Sequence, residues 1–132
     1  MASVTVMVEQ LSGTASKGNA REFGIVMDRP EAKGGTNKGM MGGEALLNSL
    51  GGCFMSNLLA AAKARNFELR NGQVKIEGDI AESPSRFSAI RMSVSAQCDP
   101  PEELVKLVTI AERGCIVANT LRAAVELSIQ VV

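Results

Sequence analysis

Three cysteines, Cys53, Cys98 and Cys115, are the thiols of this 132-residue chain, which contains no histidine. Without histidine the chain by itself holds no Ser-His-Asp or Cys-His catalytic unit. It likewise has no His-ligated zinc, and the cysteines form no C-x-x-C pair, so three thiols and a carboxylate make a poor metal site. What remains is thiol chemistry. A thiolate is the nucleophile, and a free thiol has a pKa of about 8.5, so a cation, a helix N-terminus or hydrogen bonds must lower it. Cys53 stands inside "LLNSLGGCFMSNLLAAAKAR", residues 46–65. Buried cysteine packs as a small hydrophobe, so the helix alone leaves core filler and working thiol both open. Cys98 ends a strand just before Asp99, matches no motif and reads as structural or incidental. Cys115 follows Gly114 at a helix start, where free backbone N–H groups favour an anion. Local electrostatics therefore make Cys115 the more acidic thiol, whereas mid-helix Cys53 gains little from its own dipole.

Around these residues the pattern predicts eight elements. "SVTVMVEQL" (3–11) alternates Val4, Val6 and Val8, and "REFGIVMD" (21–28) puts Phe23, Ile25 and Met27 on one face, so both read as strands. "GTASKGN" (13–19) is turn chemistry between them. "GGTNKGMMGG" (34–43) favours neither helix nor strand. A glycine-rich loop before a helix invites a phosphate, but neither the Walker spacing nor G-x-G-x-x-G is present. Residues 44–65 form the strongest helix, with Glu44 at its positive end and Lys63 and Arg65 at its negative end. Leu46, Leu47, Leu50, Phe54, Leu58 and Ala61 keep helical spacing, while Met55 and Leu59 widen the apolar face. A domain this small has difficulty surrounding a helix of roughly six turns, and a partner subunit would help. Strands at 72–82 (Val74, Ile76, Ile80) and 86–97 (Ile90, Met92, Val94, Ala96) form a hairpin through "SPS". A helix at 99–114, capped by Asp99, a short helix from about Cys115 to Ala123, and a last strand at 125–132 complete the chain. The order β-β-α-β-β-α-α-β clusters its strands and helices, which makes the class α+β in one domain, residues 1–132. Gly51 and Gly52 each cost the helix about 1 kcal/mol relative to alanine. Close approach of another helix is the first explanation, and room for a substrate beside the thiol the second.

Composition narrows the partners. Lys plus Arg and Asp plus Glu number 14 each, and the chain has four Phe, no Trp and no Tyr. A balanced charge offers nucleic acid or acidic lipid no general attraction, and base-stacking platforms are scarce. Ser56, Asn57 and Lys63 interrupt the longest apolar stretch, so no membrane span is expected. "MASVTVMVEQ" lacks a signal peptide's basic start, so a cytoplasmic location with mostly reduced thiols is the default expectation.

The loop "GGTNKG", the helix start "ALLNSLGGC", the strand pair and the late "CIVANTL" together resemble the OsmC/Ohr family of osmotically induced and organic hydroperoxide resistance proteins, over nearly the whole chain. The resemblance implies an intertwined homodimer with the long helices enclosed between sheets from both chains. It implies Cys53 as the peroxidatic thiol and Cys115 as the thiol that resolves it in a disulfide. An organic hydroperoxide would be the substrate and a dithiol the reductant, with no cofactor. Arg21, or less directly Lys17, corresponds to the family's assisting arginine, and Glu44 to its glutamate. The pattern departs in two places: Gly43 stands where the family often has glutamate, and Ile116 follows Cys115 where it has proline. Glu44 is nine residues before Cys53, about 13.5 Å along a straight helix and on its opposite face, so a helix-stabilising role is equally open. Ser49 and Asn57, four residues either side of Cys53, share its face and could bond the sulfur or a peroxide. Apolar neighbours such as Met40, Met41, Leu50 and Phe54 would favour an organic peroxide. The departures also admit a dimer that binds a small apolar ligand or acts in thiol or persulfide exchange.

Overall fold

The computed structural model describes residues 2–132. The chain forms two compact units, Met1–Leu46 and Leu47–Val132.

The first unit holds a three-stranded antiparallel sheet in the order β1 (Met7–Gln10), β2 (Ser16–Ala20), β3 (Phe23–Met27). The middle strand corrects the sequence expectation of a turn over 13–19. Turn chemistry is confined to residues 11–15, where the Ser12 hydroxyl accepts from the N–H of Ala15 (3.0 Å) and of Thr14 (3.3 Å). "SKGNA" then extends because Gly18 pairs with both Val8 and Ile25. The side chains of Val8, Ile25 and Met27 close over it, which buries a residue that has no side chain of its own. Val8, Ile25 and Met27 thus share one sheet face by register. The expected first strand over 3–11 shortens to Met7–Gln10.

After β3 the glycine-rich segment folds back on the strand. A parallel bridge joins Met27 to Met40, and the Asp28 N–H donates to the Met40 carbonyl (3.1 Å). The knot of this loop is Asp28, buried at 4% exposure. Its carboxylate accepts from the Thr36 hydroxyl (2.6 Å) and from the N–H groups of Arg29 (2.7 Å), Thr36 (3.2 Å) and Lys38 (3.2 Å). These bonds, the Thr36 hydroxyl foremost, hold Asp28 well below the usual carboxylate range against the opposing effect of burial. The glycines are there for closeness. A β-carbon at Gly35 would lie 2.0 Å from the Arg29 carbonyl oxygen, and one at Gly39 would lie 2.2 Å from that of Val26.

Helix α1 (Gly42–Ala64) follows. Its length and apolarity would let it cross a bilayer, but Leu50, Phe54, Leu58, Ala61 and Ala62 are committed to the core of the second unit. That unit continues with the antiparallel hairpin β4 (Arg70–Ala81) and β5 (Arg86–Gln97), then α2 (Glu103–Gly114) and α3 (Ile116–Arg122). Leu107, Ala111, Cys115 and Ala118 complete the buried cluster, and Val74, Ile76, Ile90, Met92 and Val94 pack against it. These strand positions are the alternation read from the sequence. Ile80 departs from it: a bulge between Asp79 and Ile80 turns its side chain out to 69% exposure. Helix α1 ends on Asn66 in the left-handed region (φ 61°), with the Phe67 N–H bonded back to the Ala62 carbonyl (2.9 Å).

Three further expectations change. Helix α2 starts at Glu103, and Asp99 does not cap it; a turn through Pro100 and Pro101 intervenes, their carbonyls taking the N–H groups of Glu103 and Leu104. Residues 125–132 form no strand, because among the described residues no strand pairs with them. The α+β class stands, but the order is β-β-β-α-β-β-α-α rather than β-β-α-β-β-α-α-β.

Gly51 is explained by a strand side chain and not by a neighbouring helix: a β-carbon there would lie 2.7 Å from Ile76 Cδ1. Nothing lies within 4 Å of the corresponding position at Gly52. Gly51→Ala is therefore expected to lose stability in urea unfolding despite its better helix propensity. Adding Ile76→Val removes the clashing methyl, so the double variant should exceed the sum of the single effects by about 1 kcal/mol. Strict additivity would refute the contact.

Candidate active site

The two thiols singled out by the sequence meet. Cys53 lies in the middle of α1 and is partly buried; Cys115 is fully buried at the corner where α2 hands over to α3. Cys115 ends one helix and begins the next. Its N–H donates to the Glu112 carbonyl (3.3 Å), and its extended backbone (φ −81°, ψ 109°) turns the chain into α3. The first N–H groups of any helix lack intrahelical partners. In α3 two sulfurs take them. The Ala118 N–H donates to Cys115 Sγ (3.5 Å), while the N–H groups of Val117 and Ile116 favour the Cys53 anion.

This arrangement reverses the sequence expectation about acidity. The Val117 N–H is the main influence holding the Cys53 thiol below its ordinary value. Burial opposes it, and hydrogen bonds from the Cys115 thiol and the Ile116 N–H add to it. Burial pushes the Cys115 thiol up, and the charge developing on Cys53 favours its protonated, donating form. Cys115 supplies the helix start, as read from the sequence, but the benefit goes mainly to the neighbouring sulfur. Local sequence shows that N–H groups are free at a helix start; only packing of that start against α1 decides which sulfur they face. The Ile116 and Val117 amides are the functional groups that sequence reasoning missed.

The other candidates divide. Asn57 faces the same corner: its Nδ2 lies 3.8 Å from where a β-carbon on Gly114 would sit, an ordinary contact. Ser49 is exposed. Cys98 packs at the margin of the apolar cluster and is not among the groups acting on Cys53. Leu50 and Phe54, expected as apolar neighbours, are buried in that cluster. Glu44, Arg21, Lys17, Met40 and Met41 belong to the Met1–Leu46 unit. The Glu44 carboxylate accepts from the Met41 N–H (2.8 Å), reaching back from the third helical position as in a capping box. Arg21 occupies the β2–β3 turn with left-handed backbone (φ 56°), its guanidinium 5.1 Å from the Phe23 ring centroid. Lys17 is exposed on β2.

A depressed folded-state pKa means that the Cys53 anion persists as pH falls below the free-thiol value of about 8.5 and is lost only on passing the lower folded value. Site-resolved alkylation with iodoacetamide should therefore give Cys53 a midpoint below about 8.5 and a rate at pH 7 at least several-fold above that of Cys115. Equal rates and midpoints for the two would contradict the hydrogen-bond assignment.

Comparison with known proteins agrees with this fold. A sequence profile of the OsmC-like protein family matches residues 35–130. The fold is similar to that of an OsmC-like protein from Mycoplasma pneumoniae (TM-score 0.79, 18% identity, 92% of this chain and 88% of the other). It is also similar to that of a putative osmotic stress induced and detoxification response protein from Psychrobacter arcticus (TM-score 0.78, 16% identity, 91% and 89%). An organic hydroperoxide resistance protein OsmC from Legionella pneumophila shares it as well (TM-score 0.65, 17% identity, 92% of both chains). No curated protein sequence matches the chain. With its profile match spanning most of its length, the chain belongs to the OsmC-like protein family.

Proposed function

We propose that the protein reduces organic hydroperoxides through Cys53, with Cys115 as the resolving thiol. The observation that carries this is the pairing itself: one sulfur held low by N–H groups, and a protonated second sulfur donating to it. The Cys53 thiolate attacks the terminal oxygen of the hydroperoxide. The O–O bond breaks, the departing alkoxide takes a proton and leaves as an alcohol, and Cys53 becomes a sulfenic acid. Cys115 then gives up its proton and attacks the Cys53 sulfur, expelling water and forming a disulfide. An external dithiol returns both cysteines to thiols by exchange. Similarity in fold to proteins named for organic hydroperoxide resistance, from Legionella pneumophila and Elizabethkingia anophelis, supports the peroxide class. The apolar cluster flanking Cys53 favours an organic over an inorganic peroxide.

The groups that lower the Cys53 pKa all lie within Leu47–Val132, so we assign Arg21 and Glu44 to peroxide positioning and not to lowering the thiol pKa. A homodimer is part of the proposal. The β1–β3 sheet exposes Val8, Phe23 and Ile25, Val6 before it is exposed as well, α1 exposes Leu46 and Leu59, and Val125, Leu127, Ile129 and Val131 keep strand alternation while exposed. Apolar surfaces of this extent are normally covered by a partner. A second copy, which brings the same complement of unpaired strand and uncovered sheet, is the economical one.

One observation favours a second reading. The donors that lower Cys53 within its unit are amides and a thiol, with no cation among them. A sulfur ionised this way is equally suited to accept a sulfane sulfur, which would make the protein a persulfide carrier.

Reduced protein treated with cumene hydroperoxide is expected to form a Cys53–Cys115 disulfide, mapped by mass spectrometry, and to release cumyl alcohol. Cys53→Ser should abolish both, while Cys115→Ser should accumulate Cys53 sulfenate. If the peroxide leaves Cys53 unmodified but a persulfide donor modifies it, the second reading replaces the first. Arg21→Ala should slow peroxide consumption at least tenfold and leave the Cys53 alkylation midpoint in place. In light scattering the protein should have twice the chain mass, and deletion of residues 125–132 should shift it towards the monomer.

A further inference from the structure

One polar residue on the Cys53 face of α1 is left unused by the chemistry above. Asn57 stands four residues after Cys53 in the same helix, which puts their β-carbons about 5–6 Å apart on one face. Both residues are half-buried. Between them in sequence, Phe54 and the neighbouring Leu58 are buried in the core, so this turn of the helix is firmly seated. Polar atoms drawn into a protein's interior are normally bonded there. Among the described residues, none bonds the Asn57 side chain. No buried side-chain nitrogen or oxygen lacks a partner either, so both ends of this unpartnered amide reach open space. Its Nδ2 lies 3.8 Å from where a β-carbon on Gly114 would sit. Gly114 is exposed, has no side chain with which to cover the amide, and immediately precedes Cys115. The amide thus lies between the Cys53 face of α1 and the residue before the second thiol, with two donors and an acceptor uncommitted.

We propose that Asn57 is a catalytic residue: its Nδ2 donates a hydrogen bond to the proximal oxygen of the hydroperoxide, the oxygen that departs as alkoxide. The inference rests on the proposed peroxidase reading of Cys53. As the Cys53 sulfur bonds to the terminal oxygen, the O–O bond breaks and its electron pair moves to the proximal oxygen. Attack is in line, so that oxygen lies beyond the terminal one, away from the sulfur. A donor touching the sulfur would blunt the nucleophile, whereas a donor one helical turn away can meet the charge where it develops. A hydrogen bond that strengthens with that charge accelerates the step. The amide keeps its protons, and the alkoxide takes its own from solvent.

The test follows oxidation of Cys53 in reduced full-length protein through a single turnover with cumene hydroperoxide. Dividing each rate by the iodoacetamide rate of Cys53 in the same variant at the same pH removes any change in thiolate fraction. Asn57→Ala deletes the amide and favours the helix. Asn57→Asp keeps the size and an acceptor but, ionised, has no donor. The ratio is expected to fall about tenfold or more in both variants. With peracetic acid, whose departing carboxylate is stable without such a bond, the fall in Asn57→Ala should be about threefold at most. An unchanged ratio in either variant overturns the inference. So does an equal fall with both oxidants, which would make Asn57 a packing residue. Wild-type Cys53 inert to cumene hydroperoxide would refute the peroxidase reading and the inference with it; wild-type oxidation with unchanged ratios refutes the inference alone.

Discussion

Two backbone N–H groups directed at a sulfur from another helix set the character of this protein's site. Amides carry no net charge, so what they offer a thiolate is orientation, and orientation must be held by packing. The buried Leu107 and Ala111 seat α2 in the core, Gly114 lies beside Asn57, and Cys115 turns the backbone into α3. Each is an ordinary structural role. Their joint result is a thiol held below its ordinary pKa by preorganised dipoles, a mode of stabilisation that ions in solution screen far less than an exposed ion pair.

The two cysteines play unequal parts for a simple reason. Both lie close to the start of α3, but Cys115 is fully buried whereas Cys53 is only partly so. Burial disfavours charge on the first, and the amides favour it on the second. The two shifts run in opposite directions, so the pair gives up its first proton from Cys53.

Much of this was legible in the chain. The face formed by Leu50, Phe54, Leu58 and Ala61, the alternation of Val74 with Ile76 and of Ile90, Met92 and Val94, and the helix stop at Gly114 are local patterns, and local physics preserves them. The failures have one source: they depended on what a segment meets. "SKGNA" looks like a turn until Val8 and Ile25 close over Gly18 from both sides. Residues 125–132 look like a strand, yet a strand requires a partner, and this chain alone provides none among its described residues. The glycine-rich loop showed no phosphate motif, but nothing local revealed that a carboxylate of the chain itself, Asp28, fills it while the missing side chains of Gly35 and Gly39 make way for backbone. At the site, type and spacing picked out both cysteines. Which of the two the α3 amides serve is a matter of where one helix end lands on another, and no spacing rule encodes it.

The contact between Gly51 and Ile76 has a mechanical side. The methyl tip of Ile76 occupies the hollow left by one absent side chain in α1, much as a detent sits in a notch. A screw motion of one residue, about 1.5 Å along the axis with about 100° of rotation, would in one sense bring the bulk of Leu50 to that tip. The notch therefore helps to register α1 against β4. Cys53 is two residues further along the same rod, so a methyl group that takes no part in the chemistry helps to place its sulfur.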